Sequence, residues 1–323
     1  MPIVPAITVV IPLYNKAPYI SRALDSVLAQ TFTDFEVIVV DDGSTDEGAV
    51  IVKEFTDSRI RLIEQKNQGV SAARNKGIED SRAELIAFLD ADDEWLPEFL
   101  ETIFRIRKKY PEAGLYGTAY EVHVQGSIVK RTYAEGEGER LLSSYFKALV
   151  DCGYNTFNSS SFAAPKKALN AVGNYPLGVK WNEDGTLWGK IALKFKVAYS
   201  PKICSIYHLY SVNNSTEIVE YLENPFPQYV STIPNEELLK RDDADYLREY
   251  CDFCRLSAIW QNIYSGHGMR VRQELRSVNS SRYAWWRCKL HMLSYVPEKW
   301  MRLVRKNAKN LSYLKMRIIK ERW

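Results

Sequence analysis

Hydrophobic positions in the first 120 residues follow two alternating patterns. Short, almost uninterrupted apolar runs predict strands, and between them apolar residues recur at three- and four-residue spacings that predict helices. The predicted strands are Ile7–Ile11, Phe35–Val40, Ile60–Ile63 and Leu85–Leu89, and the predicted helices are Tyr19–Gln30, Gly48–Phe55, Val70–Ser81 and Pro97–Tyr110. Such an alternation with nearly all-apolar strands is typical of a mostly parallel sheet that helices cover on both faces. The expected fold class is therefore α/β.

The pattern becomes mixed after residue 114. Strands are predicted near Leu115–His123, Ile128–Tyr133 and Val197–Ile206, with polar and aromatic loops at Asn155–Phe162 and Asn174–Asp184. Prolines at positions 225, 227 and 234 indicate a linker, after which helical spacing returns over Glu236–Tyr264 and most of Ser280–Trp323. We therefore expect one domain over residues 1–222, a linker over 223–235 and a helical, basic region over 236–323.

Composition narrows the class of protein. The chain has 323 residues, 46% hydrophobic and 26% charged, which is ordinary for a folded globular protein. No apolar run approaches the roughly 18 residues that a membrane-spanning helix needs. The N-terminus lacks the pattern of a secretory signal, and five cysteines do not suggest a disulfide framework. The expected location is the cytoplasm.

The net charge of +3 conceals an asymmetry. The segment from Arg270 to Trp323 carries 15 basic and three acidic residues, whereas the rest of the chain carries 28 basic and 37 acidic residues. Within that segment, apolar residues from Trp300 to Ile318 recur at spacings that fit one face of a helix. Such a helix favours the surface of an anionic membrane, although a helix packed on its own domain with a solvated basic face would have the same pattern. No nucleic-acid motif accompanies the charge, so no nucleic-acid partner is expected.

Polar residues follow three of the predicted strands, at Pro12–Asn15, Asp41–Ser44 and Asp90–Asp93. In parallel sheets ligands bind beyond these carboxyl ends. Clustered carboxylates repel one another unless a cation joins them, and Mg²⁺ typically takes one or two protein carboxylates together with substrate phosphates. The clusters therefore favour a metal shared with a phosphorylated substrate. Turns and helix caps would use the same residues.

Five blocks in this order resemble family 2 glycosyltransferases, which have the GT-A fold. The blocks are Val9–Asn15, Ser26–Phe32, Asp41–Ser44, Ala72–Gly77 and Phe88–Asp93. The resemblance implies that residues 1–113 bind a nucleotide-diphospho-sugar and that residues 114–222 bind the acceptor. It also implies that the sugar is transferred with inversion at its anomeric carbon.

The resemblance also implies roles for single residues. Pro12, Tyr14 and Asp42 would line the nucleoside pocket, and Asp90 would lie near the ribose or the donor sugar. Asp92 would bind the Mg²⁺ or Mn²⁺ ion, with help from Asp90 and Asp93. Arg74 falls in one of the five matching blocks, and two roles are open for it: a contact with the donor and a structural salt bridge.

Two further positions come from the second half of the chain. The segment Asn182–Trp188 resembles the Glu-Asp motif of the family, which implies that Asp184 is the general base and that Glu183 orients it or the acceptor. Without the resemblance this pair would simply suit the first turn of a helix. Some relatives also have a metal-site histidine, and His208 lies two residues before the matching position, Tyr210. A hydrogen-bonded structural histidine is the other interpretation.

The expected function is therefore that of an inverting, metal-assisted glycosyltransferase. The favoured donor is a UDP-sugar, and the expected acceptor is a lipid-linked glycan of a cell-surface polysaccharide, reached by peripheral attachment at the inner face of the cell membrane. One rival is a sugar-phosphate nucleotidyltransferase, for which a Gly-rich basic loop would be expected where Pro12–Asn15 stands. The other rival is a non-catalytic module that docks on membranes.

Overall fold

The structure is a computed structural model that describes residues 4–124, 126–133, 137–209, 221–265, 267–297 and 300. Ten strands lie within these residues. They are β1 (Ile7–Leu13), β2 (Phe35–Asp41), β3 (Ile60–Glu64), β4 (Leu85–Phe88), β5 (Glu94–Trp95), β6 (Ala113–Val124), β7 (Ser127–Arg131), β8 (Arg140–Leu141), β9 (Phe162–Pro165) and β10 (Lys196–His208).

The same residues form twelve α-helices and one short 3₁₀ turn at Leu275–Ser277. The helices are α1 (Ala17–Leu28), α2 (Gly48–Glu54), α3 (Val70–Asp80), α4 (Phe99–Lys109), α5 (Tyr145–Cys152), α6 (Lys166–Ala171), α7 (Glu183–Lys194), α8 (Pro225–Ser231), α9 (Asn235–Leu239), α10 (Ala244–Tyr264), α11 (Gly268–Glu274) and α12 (Ala284–Leu293). Among them, none combines the length and the apolar character that crossing a membrane requires.

All ten strands belong to one sheet, whose main path runs β3-β2-β1-β4-β9-β6-β10-β5. Strands β1, β2, β3 and β4 are parallel, as are β6 and β10. Strand β9 lies antiparallel between β4 and β6 and so joins the two parallel groups. The predicted α/β fold with a mostly parallel central sheet is confirmed, and the antiparallel β9, which begins at the last residue of the loop predicted over Asn155–Phe162, was not predicted.

Both faces of the sheet are covered at its centre, which explains why β1, β2 and β4 are buried along nearly their whole length and are mostly apolar. In β2, Val37 and Val39 face a core that also contains residues of α1 and α4, whereas Ile38 and Val40 pack with Ala73 of α3 on the opposite face. All four strand residues are fully buried. This alternation fixes the register of β2. Because β1 pairs in parallel with β2 and with β4, the carboxyl ends of all three strands lie at one edge of the sheet.

The chain divides into two compact units. The first comprises Met1–Ala148, Asn155–Val179 and Glu183–Asn214, and it contains the whole sheet. The second comprises Leu149–Tyr154, Lys180–Asn182 and Ser215–Trp323 and contains α8 to α12. Helix α8 lies within the segment 223–235 that the sequence predicts as a linker. Pro225 starts that helix, where the missing N–H of proline costs no hydrogen bond, and Phe226 is buried.

Helix α12 of the second unit has apolar residues on two faces. Leu290 is fully buried in a cluster with residues of α10 and α11, and Trp286 and Leu293 pack against the same cluster. On the other face, Trp285 and Met292 are exposed, and Tyr295 follows them just after the helix. Most of the predicted basic membrane helix, residues 301–323, lies outside the described residues.

Candidate active site

Helix α3 approaches the sheet closely because it presents small residues to it. A Cβ atom added at Gly77 would lie 2.4 Å from Cγ1 of Val10 in β1, so no larger residue fits there without a shift. Ala73 packs against β2 on the same side of the helix. The short distance brings the next residue, Arg74, to the carboxyl edge of the sheet.

Asp42 fixes the start of this helix. Its side chain is 2% exposed, and its Oδ1 accepts hydrogen bonds from Gln65 Nε2 (2.7 Å) and from the backbone N–H of Gln68 (3.0 Å). Its Oδ2 accepts the N–H of Gly69 at 2.7 Å, directly before α3 begins. The carboxylate of Asp42 therefore faces the 65–69 loop.

Arg74 is the centre of the site. Its guanidinium is 2% exposed and lies 5.0 Å from the ring centre of Tyr175. Nη2 contacts Asp90 Oδ1 at 2.7 Å, and Nη1 lies 3.2 Å from both Glu183 Oε1 and Asp184 Oδ1. One cation thus joins carboxylates from the end of β4 and from the first turn of α7, more than 90 residues apart in the sequence.

The pKa values follow from burial and from the excess of negative charge. Burial raises the pKa of Glu183 to about 7, with Asp184 adding to the rise and Arg74 opposing it. Burial likewise raises the pKa of Asp90, against the attraction of Arg74. For Arg74, burial would lower the pKa, but the carboxylates of Asp184 and Asp90 raise it well above its ordinary value. Arg74 therefore keeps its charge at every physiological pH.

Two adjacent serines connect this cluster to the Asp90–Asp93 segment. The Ser159 hydroxyl donates to Asp184 Oδ2 at 2.5 Å, and the Ser160 hydroxyl donates to Asp93 Oδ2 at 2.5 Å. Ser160 Oγ also accepts the backbone N–H of Asp90 at 3.1 Å. The serines therefore lie between the carboxylates of α7 and those that follow β4.

Asp93 and His208 have partners within the chain. Asp93 is 1% exposed, and besides the Ser160 hydroxyl it accepts the backbone N–H of His208 at 3.0 Å. The Nε2 atom of His208 lies 2.9 Å from Glu94 Oε1. Burial raises the pKa of Asp93 well above its ordinary value and lowers the pKa of His208, although Glu94 opposes the latter. In this geometry both residues hold β10 to the loop after β4.

Asp92 pairs with a different cation, Lys16, and its charge adds to the rise in the pKa of Asp90. Its Oδ2 is 2.7 Å from Nζ of Lys16, and its backbone carbonyl accepts a hydrogen bond from Arg22. Lys16 comes from the loop after β1, so this ion pair spans two neighbouring strand ends.

The residues predicted for the nucleoside pocket follow β1. Pro12 pairs with Val40 inside the sheet, and Tyr14 is 44% exposed just beyond the strand. Asn15 has a left-handed backbone (φ 51°), and its side chain accepts the N–H of Thr45 at 2.7 Å. These contacts join the loop after β1 to the loop after β2 and leave the ring of Tyr14 accessible.

The model of the family described as glycosyl transferase family 2 matches residues 8–172. The chain belongs to glycosyl transferase family 2. Within the site, the match covers the residues described above except Tyr175 and those of α7 and β10, and it confirms the resemblance drawn from the five sequence blocks.

The chain is also similar to individual glycosyltransferases. The *Escherichia coli* protein named UDP-Glc:alpha-D-GlcNAc-diphosphoundecaprenol beta-1,3-glucosyltransferase WfgD is 35% identical over 148 residues, which are 46% of this chain and 56% of WfgD. The chain spans 30%, 43% and 66% of the length of three other relatives, from *Streptococcus pneumoniae*, *Bacillus subtilis* and *Nostoc*. The chain thus spans less than two thirds of the length of these relatives.

Solved structures share the fold. *Staphylococcus aureus* TarS 1–349 in complex with UDP-GlcNAc superposes with a TM-score of 0.66 at 17% identity, covering 93% of this chain and 91% of TarS. The mannosyltransferase PcManGT of *Pyrobaculum calidifontis*, in complex with GDP-Man and Mn²⁺, gives a TM-score of 0.56 at 17% identity, covering 93% and 89%. At such identities the likeness concerns the fold, which is the GT-A fold that the resemblance implies.

In this chain, the carboxylates at the strand ends fit a metal ion that is shared with the phosphates of a substrate better than a metal ion held by protein ligands alone. Among the described residues, no group of three or more His, Cys, Asp and Glu side chains is arranged to hold a metal ion. Mg²⁺, however, commonly needs only one or two protein carboxylates because substrate phosphates and water supply the other ligands. Asp92, with Asp90 nearby in sequence, fits that smaller role.

Sequence reasoning missed Lys16, Tyr175, Ser159 and Ser160. Lysine, tyrosine and serine are common in loops, and nothing local to these positions shows that a carboxylate or a guanidinium lies next to them. Their one available signal was position. Lys16 directly follows the polar segment Pro12–Asn15 at the end of the first predicted strand, and both serines fall in the polar and aromatic loop predicted at Asn155–Phe162.

Proposed function

We propose that this protein is an inverting glycosyltransferase that moves a sugar from a nucleotide-diphospho-sugar to an acceptor hydroxyl. One observation carries the proposal: Arg74 holds Asp90 and Asp184 together at the carboxyl edge of a GT-A sheet. That edge is where ligands bind in open α/β folds. Membership of glycosyl transferase family 2 supports the reaction class and does not favour a nucleotidyltransferase or a non-catalytic module.

Asp184 is the proposed general base. Its carboxylate takes the proton of the acceptor hydroxyl while the oxygen forms a bond to the anomeric carbon and the bond from that carbon to the diphosphate breaks. Attack from the side opposite the leaving group inverts the configuration. Arg74 Nη1 and the Ser159 hydroxyl hold the two oxygens of Asp184, and Glu183 shares the same guanidinium.

Asp92 is the proposed ligand of a Mg²⁺ or Mn²⁺ ion, with Asp90 beside it. When bound, the ion supplies positive charge that stabilises the leaving diphosphate. The contacts of Asp93 and His208 support a structural role for both, so we propose that they position this loop and do not bind the ion. Lys16, 2.7 Å from Asp92, adds a protein cation at the same strand end.

A UDP-sugar is the proposed donor, because WfgD is named for UDP-Glc and the TarS structure contains UDP-GlcNAc. The accessible ring of Tyr14 would stack on the base, and Pro12 would lie at the floor of the pocket. Since Asp42 is buried against the 65–69 loop, we propose that it shapes this pocket through α3. The proposed acceptor is a lipid-linked glycan, on the precedent of the name of WfgD.

The donor site is tested by thermal melting of the full chain with UDP and MnCl₂. UDP with Mn²⁺ should raise the melting temperature, and UDP with EDTA should raise it less. The Asp92→Asn variant should lose the difference between the two conditions. If neither UDP nor Mn²⁺ changes the melting temperature of the wild-type chain at millimolar concentration, the donor assignment fails.

The base is tested by substituting Asp184 with Asn. Hydrolysis of UDP-glucose, UDP-galactose or UDP-N-acetylglucosamine is measured first, and the fastest donor is then used. Asp184→Asn should lower its turnover at least about 100-fold, within the usual contribution of a general base, and keep the UDP-induced rise in melting temperature. Asp34→Asn, at an exposed position before β2, is the matched control and should have no effect on turnover.

A further inference from the structure

The loop between α5 and β9 places two adjacent hydroxyl groups on two different carboxylates. Ser159 Oγ lies 2.5 Å from Asp184 Oδ2, and Ser160 Oγ lies 2.5 Å from Asp93 Oδ2. We propose that Ser159 is a positioning residue that orients Asp184 for proton abstraction and that Ser160 fixes Ser159 in place. The inference rests on the proposed role of Asp184 as the base.

Asp184 needs the Ser159 hydroxyl as a partner because Arg74, the cation that Asp184 contacts, is shared with other carboxylates. Arg74 contacts three carboxylates, and its Nη1 lies equally far, 3.2 Å, from Glu183 and from Asp184. A guanidinium divided in this way balances charge without selecting one orientation of the Asp184 carboxylate, with which the buried side chain of Tyr175 interacts as well. A hydroxyl donor on Oδ2 selects one orientation, and Oδ1 then faces Arg74.

The loop is rigid enough for this task. Asn158 Oδ1 accepts the backbone N–H of Ser160 at 3.0 Å, and the N–H of Asn158 donates to Ser161 Oγ at 2.7 Å. The backbone carbonyl of Ser160 accepts Trp95 Nε1 at 2.6 Å, and Ser160 and Ser161 are fully buried. Because hydrogen bonds fix the backbone on both sides of it, the Ser159 hydroxyl has a defined position.

The Ser160 contacts extend this arrangement to the donor side. Ser160 Oγ accepts the N–H of Asp90 at 3.1 Å while it donates to Asp93. The dipeptide therefore sets the distance between the base and the loop that carries Asp92. A displacement of about 1 Å in such a geometry is enough to lower a rate by orders of magnitude.

The test compares Ser159→Ala, Ser159→Thr and the wild-type chain in hydrolysis of the UDP-sugar chosen above, across pH 5 to 9. Ser159→Ala should lower kcat about tenfold. It should also move the acidic limb of the kcat profile to higher pH, since a carboxylate that loses a hydrogen-bond donor keeps its proton more readily. Ser159→Thr keeps the hydroxyl and should restore both the rate and the pH profile. The UDP- and Mn²⁺-induced rise in melting temperature should be equal in all three.

Other outcomes separate the two proposals. If Asp184→Asn is inactive while Ser159→Ala keeps the wild-type rate and pH profile, the positioning role of Ser159 is refuted and the base stands. If Ser159→Ala slows turnover without moving the pH profile, or Ser159→Thr does not restore it, the residue is only a structural part of the loop and the inference is likewise refuted. Wild-type turnover by Asp184→Asn would overturn the base assignment itself.

Discussion

A guanidinium as buried as that of Arg74 is costly unless its charge is compensated. Removing an ion from water costs several kcal/mol even after the protein relaxes, and close, hydrogen-bonded partners must offset that cost. Arg74 has three carboxylates within 3.2 Å, which compensates the guanidinium and leaves the cluster with excess negative charge. The cluster is therefore held together by Arg74 and depends on it.

Replacing Arg74 with Met should destabilise the protein strongly. Three partly buried carboxylates would lose their common cation, and breaking such a group typically costs about 3–5 kcal/mol of unfolding free energy. Arg74→Lys should fall between Met and wild type, because an ammonium cannot contact all three carboxylates in the planar geometry of a guanidinium. Urea denaturation measures the unfolding free energy of both variants. Arg59→Met, which breaks the more exposed pair with Asp57, is the control and should cost less than about 1 kcal/mol.

Glu183 makes the stability of the protein depend on pH. Its pKa is about 7 in the folded chain against 4.5 ordinarily, so the folded state binds more protons than the unfolded state between these values. The contribution of Glu183 to stability is therefore most favourable below pH 4.5 and declines as the pH rises to 7. Relative to wild type, Glu183→Gln should gain roughly 1–3 kcal/mol between pH 4.5 and pH 8 in urea denaturation. An equal difference at both pH values would contradict the shift.

At the scale of elements, the closeness of α3 and β1 sets the position of Arg74. Gly77→Ala should lower the unfolding free energy by about 1–3 kcal/mol, because its methyl group would overlap the side chain of Val10. Val10→Ala makes room for that methyl, so the double variant should lose less than the two single variants together. Chemical denaturation of the wild-type chain, the two single variants and the double variant gives the coupling free energy between positions 77 and 10.

The sequence was sufficient for elements whose pattern is local. The predicted strand Phe35–Val40 differs from β2 by one residue, because a strand buried on both faces must be apolar at every position. Strand β9 was missed because Phe162–Pro165 contains two alanines and a proline and has no β-branched residue. Its identity as a strand depends on β4 and β6, which lie far away in the sequence.

The candidate site shows the same limit. The acidic motifs identified Asp90 and Asp184 by type, but whether Arg74 faces a ligand or a carboxylate could not be decided before its neighbours were known. The structure gives Arg74 three ion pairs, and a contact between Arg74 and the donor stays a prediction. Contacts between residues that are far apart in the sequence produce no periodic pattern of apolar and polar residues in a single sequence.

At the scale of the whole molecule, charge and exposed aromatic groups predict attachment to an anionic membrane. Trp285 and Met292 are exposed on one face of α12, with Lys289 Nζ 5.1 Å from the Trp285 ring centre and the Arg272 guanidinium 4.5 Å from that of Tyr295. Aromatic rings beside basic groups suit a lipid headgroup region. The full chain should therefore sediment with vesicles that contain phosphatidylglycerol and much less with pure phosphatidylcholine.

A double substitution tests that surface. Changing Trp285 and Met292 to Ser should lower vesicle binding at least about tenfold without changing the melting temperature. Met269→Ser, which alters a methionine that is more exposed but lies on α11, should bind like wild type. The prediction is refuted if the double variant binds vesicles like wild type or if the wild-type chain does not bind them. It is also refuted if the only effect of the double substitution is a lower melting temperature.

Strand β9 has a consequence for recombining this enzyme with its relatives. Residues 162–165 come from the predicted acceptor-binding half, residues 114–222, yet they hydrogen-bond to β4 of the predicted nucleotide-sugar-binding half on one side and to β6 on the other. If a chimera joined two homologues at a point between residues 113 and 162, its strand β4 would come from one protein and its strand β9, which pairs with β4, would come from the other. Exchange of acceptor preference should therefore succeed through surface loops grafted between intact strands, and whole halves transplanted between homologues should misfold.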